Sequence, residues 1–259
     1  MLREGSGAGL VVTLRRDAGV GFSHASTLPK VHIHIRRRGV PDGFPGCFNV
    51  GMHHALTLAG HGVRLVPLAP LHAEHLFRHV DVPMWSGMAA RRPQCVEDLA
   101  EIFSSRLEDP SALPFAACDP GTGAVAGTTG LYDLDVRLGR AEVGGTFFAR
   151  EHWGSGMNPA TKLLLLGHAF DDLGLSRVAF RVDTRNGRSV NALLKLGAVH
   201  EGTLRAYRPG HDGARVDTAV FSVLGAEWPL VRARLLARLE RRDLTGADRV
   251  GATAPVDAA

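Results

Sequence analysis

The chain has 259 residues, 45% hydrophobic and 22% charged, with mean hydropathy near zero. That is globular composition without any window of 18 uninterrupted apolar residues, which excludes wholesale disorder, a fibrous protein and a transmembrane helix. The net charge of +4 sits in residues 1–60, where seven basic side chains face three acidic ones, and the remainder is neutral.

Cys47, Cys95 and Cys118 are widely spaced, odd in number and without a CxxC pair, so they form no disulfide framework and fit a reducing, cytoplasmic setting. Residues 1–60 carry scattered Gly, Pro and His and no lasting amphipathic period. They read as a disordered basic extension, or as a stretch upstream of a start at Met52. The alternative is a nucleic-acid-binding arm, against which the neutral body and the few aromatics argue.

From Val63 the texture changes. Val63–Val66 is strand-like, Pro70–Val80 reads as a helix opened by proline, and residues 94–107 form a second helix with Val96, Leu99, Ile102, Phe103 and Leu107 near helical spacing. Strands follow at 115–118 and 124–132, joined by an Asp-Pro-Gly-Thr-Gly turn, and then at 141–148. The loop from Arg150 to Asn158 precedes a Leu-rich helix, with Asn158 expected as N-cap, Pro159 at the first helical position and Gly174 as the stop. A strand at 177–183, a short helix at 189–196 closed by Gly197, strands at 199–208 and 215–224 and a basic helix at 227–242 complete the pattern. The fold class is therefore α+β, a mainly antiparallel sheet flanked by helices with one central β-α-β crossover. The expected organisation is an extension over 1–60, a domain over 61–228, and a helix with a flexible tail over 229–259.

A strand running through glycines into a helix N-terminus suits an anion: first-turn N–H groups are free, and glycine allows close approach. Gly154-Ser155-Gly156 is neither a Walker A sequence nor a dinucleotide fingerprint, and alone it is also the composition of an ordinary turn. Its surroundings are more specific. Ala141-Glu142-Val143-Gly144, Trp153 to Asn158, His168-Ala169-Phe170, Asp183 to Ser189, Lys195-Leu196-Gly197-Ala198 and Glu201-Gly202-Thr203-Leu204-Arg205 occur in that order. Over about residues 63–228 this series resembles the GNAT superfamily of N-acetyltransferases, closest to its branch of ribosomal-protein N-terminal (RimJ/RimL-like) acetyltransferases. One departure is Glu151, which stands where the family pattern has Gln or Arg.

The resemblance implies acetyl-CoA as co-substrate, no metal, and a V-shaped opening between strands 141–148 and 177–183. The pantetheine arm would pair along Phe147, Phe148 and Ala149 like an added strand, and Gly144-Gly145 would form the bulge that parts the strands. The pyrophosphate would lie on Gly154, Ser155, Gly156, Met157 and Asn158, with Trp153 covering it or else packing beneath the loop, and with Arg150, Arg185 and Arg188 in reach or else solvated at the surface. A backbone N–H of strand 141–148 would serve the oxyanion. Asn186 and Ser189 would lie beside the sulfur, Ser189 donating to it or else capping a helix, with Tyr207 as runner-up donor. Glu142 would be the base, directly or through water, or a structural carboxylate. The acceptor is a primary amine, either a protein N-terminus or a small molecule, and a homodimer fits the family. A non-catalytic acyl-CoA-binding module is the alternative function. His72, His75 and His79 share a helical face but lack the ligand set of a zinc site.

Overall fold

A computed structural model describes residues 54–250, with side chains placed through Arg241. The basic arm, Cys47, Met52 and the tail beyond Val250 lie outside the described residues. Eight strands, β1 (Leu58–Gly60), β2 (Val63–Pro67), β3 (Leu113–Cys118), β4 (Val125–Asp135), β5 (Arg140–Phe148), β6 (Arg177–Asp183), β7 (Val199–Pro209) and β8 (Arg215–Leu224), form one sheet. Their order is β1-β2-β3-β4-β5-β6-β8-β7, and every pairing is antiparallel except β5 with β6. A parallel pair needs a crossover, and α4 (Met157–Gly167) supplies it, running into a single π-helical turn, His168–Asp172. Gly174 follows with φ of +64°, the left-handed conformation that stops the helix.

Both faces of the sheet are covered. Phe115 and Ala117 of β3 join the core beneath α4 and α6 (Trp228–Val250). Ala116 and Cys118, alternating with them, join a second core beneath α1 (His72–Phe77), α2 (Val82–Trp85) and α3 (Val96–Leu107). A strand buried on both faces reads as a continuous apolar run, which is the pattern of Pro114 to Cys118.

Several local expectations are corrected. β1 and β2 form a hairpin across His61-Gly62, both with positive φ (53° and 73°), so the sheet already takes in Leu58–Gly60. The helix expected over 70–80 is only His72–Phe77; a separate turn, α2, follows, because the Asp81 carboxylate caps it by accepting the Met84 N–H at 2.8 Å. Asn158 is not the N-cap of α4. The helix begins two residues earlier, with Gly156 at the cap and Met157 rather than Pro159 as its first residue, and the Ser155 hydroxyl accepts the Met157 N–H at 3.1 Å. Ser189 is likewise not a cap: α5 (Gly187–Leu196) starts after Asn186, whose side chain accepts the Ser189 N–H at 3.1 Å.

The feature that positions the site is the parting of β5 from β6. Their pairing spans only Arg140 to Glu142 on β5 and Arg177 to Ala179 on β6. Beyond it, Gly145 and Thr146 together face Thr129, a bulge that turns β5 away. Gly145 has φ of +58°, and a Cβ there would stand 2.5 Å from the Tyr132 hydroxyl, so only glycine fits.

Candidate active site

The parted strands border a cleft in two joined sections. The inner section is lined by β5 from Val143 to Phe148, by Phe180, Arg181 and Val182 of β6, and by Lys162, Asn186 and Ser189. Met84, Gly87 and Met88 close its far side. The outer section is lined by Gly154, Ser155, Asn158, Arg188, Lys195 and Arg238. Thr146, Phe147, Phe148, Trp153 and Ser189 line both, so the cleft is continuous.

At the outer end, the Ser155 N–H is already bonded to His152 O at 3.2 Å and the Met157 N–H to the Ser155 hydroxyl. Gly154, Gly156 and Asn158 are the loop positions whose N–H groups have no partner among the described residues. Gly154 has φ of +70° with nothing within 4 Å of a hypothetical Cβ, so its backbone is open to approach. The Asn158 Oδ1 is buried and unpartnered. Met157 does not line the cleft; its side chain is buried in the core. Trp153 donates from Nε1 to Phe148 O at 2.8 Å, with the Arg188 guanidinium 3.6 Å above its ring and Arg150 at 5.2 Å.

Of the three arginines expected near the phosphates, only Arg188 lines the cleft. Arg150 is paired with Asp81 at 2.6 Å, and Arg185 with Asp183 and Asp212. Burial and the neighbouring Arg150 both disfavour the charged form of Arg188, so an anion beside it would be welcome. Glu151 points into solvent near His79 and His152, away from the cleft lining. Ala149 is fully buried and its N–H bonds Ala126 O at 2.9 Å, so it offers nothing to a ligand strand, whereas Phe147 and Phe148 line the cleft.

At the inner end, Ser189 lines the cleft, while Glu142 and Tyr207 stand behind Arg181. That guanidinium donates from Nε to Glu142 Oε2, from Nη1 to the Tyr207 hydroxyl at 2.7 Å and from Nη2 to Asp133 Oδ2 at 2.9 Å. Burial pushes the Glu142 carboxyl above its ordinary value, and Arg181 pulls against that shift. Tyr207 is 44% exposed. The Asn186 Oδ1 is occupied by its capping bond, and its amide nitrogen lies against Gly87, where a Cβ would come within 2.0 Å. His72 accepts the Ala69 N–H through Nδ1 at 3.1 Å, in the turn that leads into α1.

Three inner-end residues escaped the sequence reading. Arg181 was hidden as one polar position in an alternating strand. Thr146 gave no signal beside the glycines. Lys162 is 9% exposed, and its Nζ donates to Thr146 Oγ1 at 3.0 Å. A signal for it existed: the chain has only three lysines among 30 Lys and Arg, and this one interrupts an apolar helix.

Comparison with known proteins gives consistent findings. A family profile described as an acetyltransferase (GNAT) domain matches residues 63–199. The chain is 30% identical over 131 residues to the uncharacterized N-acetyltransferase p20 of Bacillus licheniformis, covering 51% of this chain and 72% of that protein. A crystal structure from T. thermophilus, named as an acetyltransferase, is similar at a TM-score of 0.66 and 40% identity, covering 71% of this chain and 96% of that one. Mycobacterium smegmatis RimJ, solved with CoA-disulfide, is similar at a TM-score of 0.62 and 22% identity over 72% of this chain and 96% of its own. That last likeness is one of fold.

Proposed function

We propose, from the premise that the chain belongs to the acetyltransferase (GNAT) family and is an acyltransferase, that it transfers an acetyl group from acetyl-CoA to a primary amine by direct attack. One observation carries this reading: an unbroken cleft runs from the gap between β5 and β6 to the N-terminus of α4. Its outer end offers what a polyphosphate needs, namely unpartnered N–H groups at Gly154 and Asn158 with Arg188 and Lys195 beside them. Bound there, acetyl-CoA supplies an activated acyl group and a thiolate leaving group.

The chain's own groups then have distinct tasks. Phe147 and Phe148 present the strand edge that β6 leaves unpaired, and an extended arm adds to such an edge. Ser189 hydrogen-bonds at the sulfur end. Glu142, held by Arg181 and made more basic by burial, draws the proton from the acceptor amine through water. Tyr207 supports Arg181 rather than the sulfur. The acceptor, a protein N-terminus or a small-molecule amine, enters past Met84 and Met88.

Calorimetric titration of acetyl-CoA into the full chain, followed by thiol release with a panel of primary amines, tests the reading. Saturable binding with amine-dependent release supports it. Absence of acetyl-CoA binding ends it.

A further inference from the structure

Lys162 is a cation that the acetyl-transfer scheme above does not use. Its neighbours on α4 are apolar or uncharged, and its Nζ bonds Thr146 Oγ1 and nothing else among the described residues. No carboxylate lies within ion-pair distance of it among those residues. Thr146 has little more to give, since its Oγ1 also meets Thr129 Oγ1 at 2.8 Å. An ammonium carries three N–H donors, so two of them find no protein acceptor. The space beside them is the inner end of the cleft, shared with Ser189.

The phosphate end has its own cations, Arg188 and Lys195. Lys162 is therefore not needed there. The other charged groups lining the inner end are Arg181 of β6 and Arg188 of α5; β5 contributes none, because Glu142 stays behind Arg181. The surroundings thus lack an anion for a buried ammonium. Burial alone pulls the Lys162 pKa down to about 7, so the group exchanges its proton near neutrality. In acetyl transfer, the atom that becomes anionic at this end is the thioester sulfur.

We propose that Lys162 is the proton donor to the departing CoA sulfur, an assignment that rests on the acetyl-transfer reading. The acceptor nitrogen forms the C–N bond, and the C–S bond breaks with its electron pair on sulfur. Lys162 gives that sulfur a proton and is left as a neutral amine. The proton lost by the acceptor nitrogen passes through water to Glu142, and Lys162 regains one from solvent when CoA thiol leaves. A thiol has a pKa near ~8.5, so an ammonium that ionises below it donates downhill, whereas the Ser189 hydroxyl is a far weaker acid and serves to orient.

The test is a spectrophotometric titration of the CoA thiol bound to the full chain, read by thiolate absorbance. The bound thiol of the unmodified chain is expected to ionise about tenfold more readily than free CoA, one pH unit lower. Lys162→Met should return it to the free value. Lys162→Arg should keep the shift while slowing turnover, because a guanidinium holds its proton. Equal titrations in the unmodified chain and Lys162→Met, both holding CoA, overturn the proposal. Should the Met variant not fold, an unmodified complex whose thiol titrates like free CoA overturns it equally. A chain that holds no CoA at all instead removes the acetyl-transfer reading on which the proposal stands.

Discussion

At its outer end the cleft is one short stretch of chain, residues 153–158, with cations from α5 and α6 around it. At its inner end it is a meeting of α2, α4, α5, β5 and β6, whose contributing side chains stand far apart in sequence. The outer end presents backbone N–H groups and exposed charge; at the inner end burial shifts the proton affinity of Lys162 and Glu142. A row of free N–H groups is thus set locally here, and the proton affinity of a buried side chain by tertiary packing.

The strongest way to sharpen that contrast is Lys162→Met, read by thermal or denaturant unfolding against pH. The native pKa, about 7, lies below the 10.5 of the unfolded side chain, so the unfolded chain binds a proton that the native one refuses between those values. The native state therefore bears its full penalty below pH 7, and the penalty fades as pH rises toward 10.5. The Met variant should be more stable by up to about 5 kcal/mol at or below pH 7, with the gain shrinking at alkaline pH. A gain independent of pH would mean that the lysine is not a buried base.

Next in size is Gly145→Val, which meets the Tyr132 hydroxyl and a left-handed backbone together. It should cost about 3 kcal/mol of stability and close the parting of the strands, measurable by unfolding and by acetyl-CoA affinity. Gly154→Val breaks the outer end differently. It meets no neighbour, so the cost is only the strained φ, about 1–2 kcal/mol, while acetyl-CoA binding should weaken by about tenfold or more in calorimetry. Unchanged affinity would detach the loop from the ligand. Ser189→Ala should lower kcat about tenfold with little change in KM if its hydroxyl serves the proposed sulfur end, since its N–H bond to Asn186 survives. The smallest effect is expected from Glu151→Gln, whose carboxylate faces solvent: under about 0.5 kcal/mol in either stability or acetyl-CoA binding.

The same division runs through what the sequence made legible. The periodic strands, the glycine loop and the crossover helix were readable because each rests on residues close together in the chain. The bulge was readable to within one residue for the same reason, two glycines inside a strand, although it falls at Gly145-Thr146 while Gly144 keeps its pairing with Gly130. The start of α4 was misread because Asn158 is a good capping residue, while the structure puts Gly156 at the cap and lets the preceding Ser155 hydroxyl accept the Met157 N–H. Ala149 looked like a strand-edge contact and Met157 like a loop contact by position, but the side chain of each is buried. Glu142 and Tyr207 looked independent until Arg181 joined them.

By itself, then, the sequence determined the α+β pattern, the family and the glycine loop that opens the crossover helix, since hydrophobic period, turn chemistry and helix-end geometry are all short-range. Only the tertiary structure decided that Lys162 is buried at the inner end of the cleft without a counter-ion among the described residues. Solvation and charge pairing depend on which distant side chains pack around a group, and nothing in a residue's own neighbours along the chain reports them.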